Sequence, residues 1–110
     1  MELSVEELGE VRAVRITGKL DTQTSSAAQD KLLALIDGGA TKILIDLEDL
    51  DYISSWGLRI LLVAVKRLDA SGGQLRVCNP NKTVREIFEI SGFVEILSIF
   101  ADKAEALDGF

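Results

Sequence analysis

Two hydrophobic periods alternate along this chain. Near the N-terminus Leu3 and Val5 alternate with polar neighbours, and Val11 to Thr17 (VRAVRIT) is rich in β-branched residues and ends at Gly18. This predicts two strands, with Glu7 to Glu10, including Gly9, as the turn of a hairpin. The period then lengthens. Ala28, Leu32, Leu35 and Ile36 fall at i, i+4, i+7 and i+8, one face of a helix. Thr24 or Ser26 is its expected cap, Ser26 having capping-box spacing to Gln29, and Gly38-Gly39 its stop.

The second half repeats the change of period. Lys42 to Leu47 (KILIDL) is a short apolar run with little alternation, as expected of a central strand covered on both faces. Glu48 to Tyr52 reads as a compact acidic connection. A helix then begins within YISSWGLRIL, with Leu58, Leu61, Leu62, Val65 and Leu68 on one face, widened by Ile60, Val63 and Ala64. Ser71-Gly72-Gly73 ends it. Gln74 to Cys78 is the next strand, and Asn79-Pro80-Asn81 a turn. Thr83 and Glu86 have capping-box spacing ahead of Val84, Ile87 and Phe88, a stripe that stops near Gly92. Ile96 to Phe100 reads as a last strand. Asp102 and Glu105 are the expected caps of a short last helix, with Ala104 and Leu107 inward. The order is ββαβαβα, then a weaker βα. Strand–helix alternation of this kind predicts an α/β fold, with a mostly parallel sheet and an antiparallel start.

Composition changes the picture mainly by exclusion. A chain of 110 residues suits one domain, 1–110, with one core. The net charge of −6 argues against nucleic acid as the partner and weakly against anionic membranes. No apolar stretch reaches the length of a membrane span, and the acidic, alternating N-terminus is unlike a signal peptide. One cysteine, Cys78, excludes an internal disulfide and fits a reducing, cytoplasmic setting. The chain has no histidine, which removes the commonest general base, nucleophile partner and metal ligand. There is no phosphate-loop or dinucleotide motif. The expectation is a binding protein without cofactor or metal, not an enzyme. Asp46, Glu48, Asp49 and Asp51 lack a defined ligand spacing and read as a solvated connection. Cys78 reads as a buried, inert thiol.

On spacing alone, Ser54-Ser55 ahead of a helix is a cap, worth about 1 kcal/mol. Three longer segments add to that reading. TGKLDTQT (Thr17 to Thr24), DLEDLDYISSWGLRILL (Asp46 to Leu62) and GGQLRVCNPNKTVREIFEISGF (Gly72 to Phe93) together resemble the STAS domain family, most nearly the bacterial anti-sigma factor antagonists. The resemblance runs over nearly the whole chain, in order and spacing. It implies a mixed, mostly parallel sheet of about four to five strands flanked by about four helices. It also implies a partner switch. The dephosphorylated antagonist binds an anti-sigma factor, often a kinase of the histidine-kinase-like ATPase type. Phosphorylation of one serine breaks the complex, and a serine phosphatase restores it.

The family motif Asp-Ser-[Ser/Thr/Ala]-Gly-Leu places the phosphoacceptor on Ser55 and its glycine and leucine on Gly57 and Leu58. Two positions depart from it: Ser54 stands where the family has aspartate, and Trp56 where it has a small residue. Ser54 is thereby a second candidate acceptor. Trp56 has three readings: packed into the core, an anchor of the interface, or an obstacle to the phosphorylated geometry that leaves a constitutive binder. A phosphate on Ser55 would add about 1.5–2 negative charges at a helix start, with the amides of Gly57 and Leu58 expected to help hold it. The docking surface implied by the resemblance takes in Ser54, Trp56, Gly57, Leu58 and Arg59 at the helix start and adds the loop Asp21, Thr22, Gln23 and Thr24, against a plain reading of that loop as turn and cap. Arg59, one turn beyond Ser55, is expected on the exposed side, as the pair of a phosphate or of a carboxylate on the partner, or as a solvated cation. The resemblance leaves a second functional reading open, a non-phosphorylated scaffold or accessory subunit of a stress-signalling or membrane-transport complex. Nucleotide binding and a cryptic enzyme are more distant alternatives.

Overall fold

The computed structural model describes residues 1–110. Strands β1 (Glu2–Leu8) and β2 (Val11–Leu20) form the antiparallel hairpin, with Leu8 opposite Val11. Then follow α1 (Ser25–Asp37), β3 (Lys42–Asp46), β4 (Leu50–Ile53), α2 (Ser55–Ala70), β5 (Gln74–Cys78), α3 (Lys82–Ser91), β6 (Ser98–Phe100) and α4 (Lys103–Leu107). The sheet runs β1-β2-β3-β5-β6, and every pairing after the hairpin is parallel. The α/β class and mostly parallel sheet match the sequence reading.

The sheet has 6 strands, more than expected, because Leu50–Ile53 is β4 and not an irregular connection. It pairs with the end of β2, Gly18 to Leu20, beyond the stretch of β2 that pairs with β3. β2 therefore does not end at Gly18. It bends there, at φ 94°, with a register shift between Gly18 and Lys19, a backbone region that favours glycine.

Alternation along the strands separates two layers. Val14 and Ile16 of β2, Ile43 and Ile45 of β3 and Leu75 and Val77 of β5 pack with Leu32 and Ile36 of α1, Leu61 and Leu68 of α2 and Phe88 of α3. Val11, Leu44 and Cys78 point to the opposite face, where Ala106 of α4 covers them with Phe100 and Phe110 alongside. Arg76 fixes that layer. It donates to the carbonyls of Ala106, Asp108 and Gly109 at 3.0, 2.8 and 3.1 Å, with its guanidinium over the Phe100 and Phe110 rings. Ala106 is the buried alanine of α4 and Ala104 is exposed, because five helical residues are too few to express a period in sequence.

The caps also differ in part. Asn81, one position before α3, accepts from the Val84 amide at 2.8 Å, so the cap is Asn81 and not Thr83. Its side-chain amide also donates to the Leu50 carbonyl at 3.0 Å, which ties α3 to β4. Thr24 sits at the N-cap of α1 and Ser26 lies within that helix. The cap of α4 is Asp102, accepting from the Glu105 amide. The acidic connection is not simply solvated: Asp46 is buried, 2% exposed. Arg15 reaches Asp46 and Asp49 at 3.1 Å and Glu48 at 3.3 Å. No helix is long and apolar enough to cross a membrane.

Candidate functional site

β2 and β4 end side by side, and this places the site. The Ser54 amide donates to the Leu20 carbonyl at 2.9 Å. The loop that leaves β2 (Asp21–Thr24) is thereby held against the start of α2. A β-carbon on Gly57 would lie 2.7 Å from the Leu20 carbonyl oxygen and 2.7 Å from Ile53 Cγ1. Glycine at that position lets α2 start this close to both strand ends. Gly57 and Leu58, expected at the docking surface, are buried, Gly57 against Leu20 and Ile53 and Leu58 in the main core.

Ser54 is the N-cap of α2. Its hydroxyl accepts from the Gly57 amide at 3.3 Å and its carbonyl accepts from the Leu58 amide at 2.9 Å. Those two amides are therefore already engaged, contrary to the expectation that they would hold a phosphate. The amides of Ser55 and Trp56, at the head of the helix, have no acceptor within it. Ser55 is the first helical residue and is exposed. The cap reading thus belongs to Ser54, and Ser55 is left with a hydroxyl that the structure does not engage.

Trp56 is 52% exposed, which removes the core reading. Its ring carries the Arg59 guanidinium at 5.6 Å from the centroid, a cation–π contact worth about 0.5–1 kcal/mol at an exposed site. Ser55, Trp56 and Arg59 line a shallow hollow of about 310 Å³. Trp56 and Arg59 also line a groove of about 500 Å³ between α1 and α2, whose other walls include Thr22, Ser26, Gln29 and Ile60.

In the loop the four residues divide. Asp21 accepts from the Gln23 and Thr24 amides at 2.9 and 3.2 Å. Thr24 accepts from the Asp21 amide and donates to the Lys19 carbonyl at 2.8 Å. The buried Ser25 donates its hydroxyl to the Asp21 carbonyl. Asp21 and Thr24 therefore build the turn, as the plain reading has it. Thr22 and Gln23 are exposed, and Thr22 lines the groove. Sequence reasoning missed Ser26 and Gln29 as groove residues. Their helical spacing placed them on a polar face of α1, but only the packing of α1 on α2 turns that face towards Trp56.

Comparison with known proteins agrees with this architecture. The family model for the STAS domain matches residues 2–106. The protein BtrV of Bordetella bronchiseptica is 33% identical over 110 residues, covering 100% of this chain and 95% of its own. The anti-sigma F factor antagonist of Paenibacillus polymyxa is 28% identical over 108 residues, covering 97% of this chain and 92% of its own. Among solved structures, the Bacillus cell fate determinant SpoIIAA in its phosphorylated form superposes with a TM-score of 0.75 at 28% identity, covering 97% of both chains. Fold, family model and relatives agree, and the chain belongs to the STAS domain family.

Proposed function

We propose that this protein is an anti-sigma factor antagonist. It binds an anti-sigma factor through the start of α2 and the adjoining loop, and phosphorylation of Ser55 releases it. The observation that carries the reading is the division of labour between two serines. Ser54 caps the helix, so Ser55 presents a free, exposed hydroxyl beside an exposed Trp56. The relatives named as anti-sigma factor antagonists support the partner class.

The step is a phosphoryl transfer by the partner, of the histidine-kinase-like ATPase type. The Ser55 oxygen forms a bond to the γ-phosphorus of ATP, the bond to ADP breaks, and the hydroxyl proton is lost. A serine phosphatase reverses the state by hydrolysis. Weakening a complex about 100-fold needs about 2.7 kcal/mol, and like-charge juxtaposition at an interface costs several kcal/mol. One phosphate at the docking surface therefore suffices without refolding. Trp56 fits the role of an anchor, since tryptophan is enriched among residues that dominate binding.

The test is intact mass and peptide mapping of protein purified from its own host, in growing and in stressed cells, with capture of the host's anti-sigma factor by the purified chain. One phosphate on Ser55 that varies with condition, and capture abolished by Ser55→Asp, are expected. A phosphate on Ser54 would reassign the acceptor. No phosphate in any condition, with Ser55→Ala and Ser55→Asp capturing equally, would overturn the switch in favour of a constitutive scaffold.

A further inference from the structure

We infer that Arg59 is the counter-ion of the phosphorylated state: a phosphate on Ser55 draws the guanidinium off the Trp56 ring and onto itself. This rests on the reading of Ser55 as the acceptor and deepens it. Three observations carry it. Ser55 and Arg59 are four residues apart on α2, neighbours on one helix face, with the anionic position N-terminal to the cation, the favoured orientation. With Trp56 they line a common hollow, so the guanidinium borders the space a phosphate would fill. Arg59 is also uncommitted. Arg12, Arg15 and Arg67 pair with carboxylates and Arg76 is held by carbonyls, whereas Arg59 has the Trp56 ring alone; Arg85 is unpaired too, but it lies on α3 and does not line the hollow.

The competition is one-sided. A phosphate offers three acceptor oxygens and close to two charges, and arginine binds such groups with two parallel hydrogen bonds. An exposed ring face offers neither. When the guanidinium moves, the Trp56 ring loses its cover and the α1–α2 groove loses the one cation that lines it. Phosphorylation would then reshape the docking surface across the helix turn as well as adding charge at Ser55.

The experiment uses the full chain with phosphoserine installed at position 55 during translation, so that no kinase is needed. The second ionisation of the phosphate is followed by ³¹P NMR as a function of pH, in the parent and in Arg59→Gln. The helix start lowers that ionisation in both proteins, so their difference isolates Arg59. The expected difference is about half a pH unit, lower with arginine. It is partly restored by Arg59→Lys and lost at 1 M salt. Trp56 emission is expected to change on phosphorylation in the parent and not in Arg59→Gln. Equal titrations in parent and Arg59→Gln would overturn the inference. An unphosphorylated Ser55 in the host would instead overturn the functional reading and leave this measurement standing.

Discussion

Replacing Gly57 with alanine sets two effects of opposite sign against each other. Gly57 is helical and has no positive φ, so alanine fits the backbone and gains up to about 1 kcal/mol of helix propensity. Against this, the new methyl group would meet the Leu20 carbonyl oxygen and Ile53 Cγ1 at 2.7 Å and Leu20 Cγ at 3.0 Å. Carbon atoms pack near 3.5–4.0 Å, so something must move. The Leu20 carbonyl belongs to β2 and holds the Ser54 amide, and both side chains are fully buried. Overpacking a site of this kind costs about 1–3 kcal/mol, here at the upper end because a backbone atom blocks the way. The net expectation is a loss of about 2 kcal/mol. With a urea slope of about 1–1.5 kcal/mol/M for a domain of this size, the midpoint falls by about 1.5 M with the slope unchanged. A midpoint equal to or above that of the parent would refute the argument that Gly57 is there to let α2 approach the strand ends.

Four further expectations follow from the same geometry. Trp56→Ala removes an exposed ring, so stability changes by less than about 1 kcal/mol, while affinity for the anti-sigma factor falls at least about 30-fold; unchanged binding would take Trp56 out of the interface. Burial by itself raises the Asp46 carboxyl, but bonds from the Glu48 amide, Asn79 and Arg15, with the Arg15 charge, outweigh it and hold the group below its ordinary value. A depressed folded value gives stability that is fully present above the ordinary carboxyl pKa of about 3.9 and is lost as pH falls through the folded value. Asp46→Asn should therefore cost about 1–3 kcal/mol at pH 7 in urea unfolding, a gap that narrows in acid; a pH-independent gap would contradict it. Burial, reinforced by the Asp46 charge, pushes the Cys78 thiol up to about 12, so a thiol reagent at pH 8 should label Cys78 only after unfolding, and rapid labelling of the native protein would contradict that. Asn81→Ala loses both the cap of α3 and its bond to β4 and should cost about 1–2 kcal/mol; a change within error would mean that water replaces both bonds.

How much of the site was legible follows from the range of the interactions involved. Ser55 and its place at a helix start came from a local motif and a local period. The separate role of Ser54 did not, because either serine could cap and the choice depends on where the backbone of α2 begins. Gly57 was legible as a motif glycine, yet its reason, contact with Leu20 and Ile53, lies in packing. Asp46 was read with its acidic neighbours because its partner Arg15 is 31 residues away.

By itself the sequence determined the order of the main elements apart from β4, the mostly parallel α/β class and the inward faces of α1 and α2. Those follow from hydrophobic period, which is a property of neighbouring residues. The tertiary structure decided the rest. Leu50–Ile53 has no strict alternation and an acidic setting, and becomes a strand only because the bent end of β2 offers it a partner. That pairing sets the start of α2 beside the Asp21–Thr24 loop and leaves Ser55, Trp56 and Arg59 on one exposed surface. Local propensity cannot specify such a surface, because it is made by hydrogen bonds and packing between residues distant in the chain.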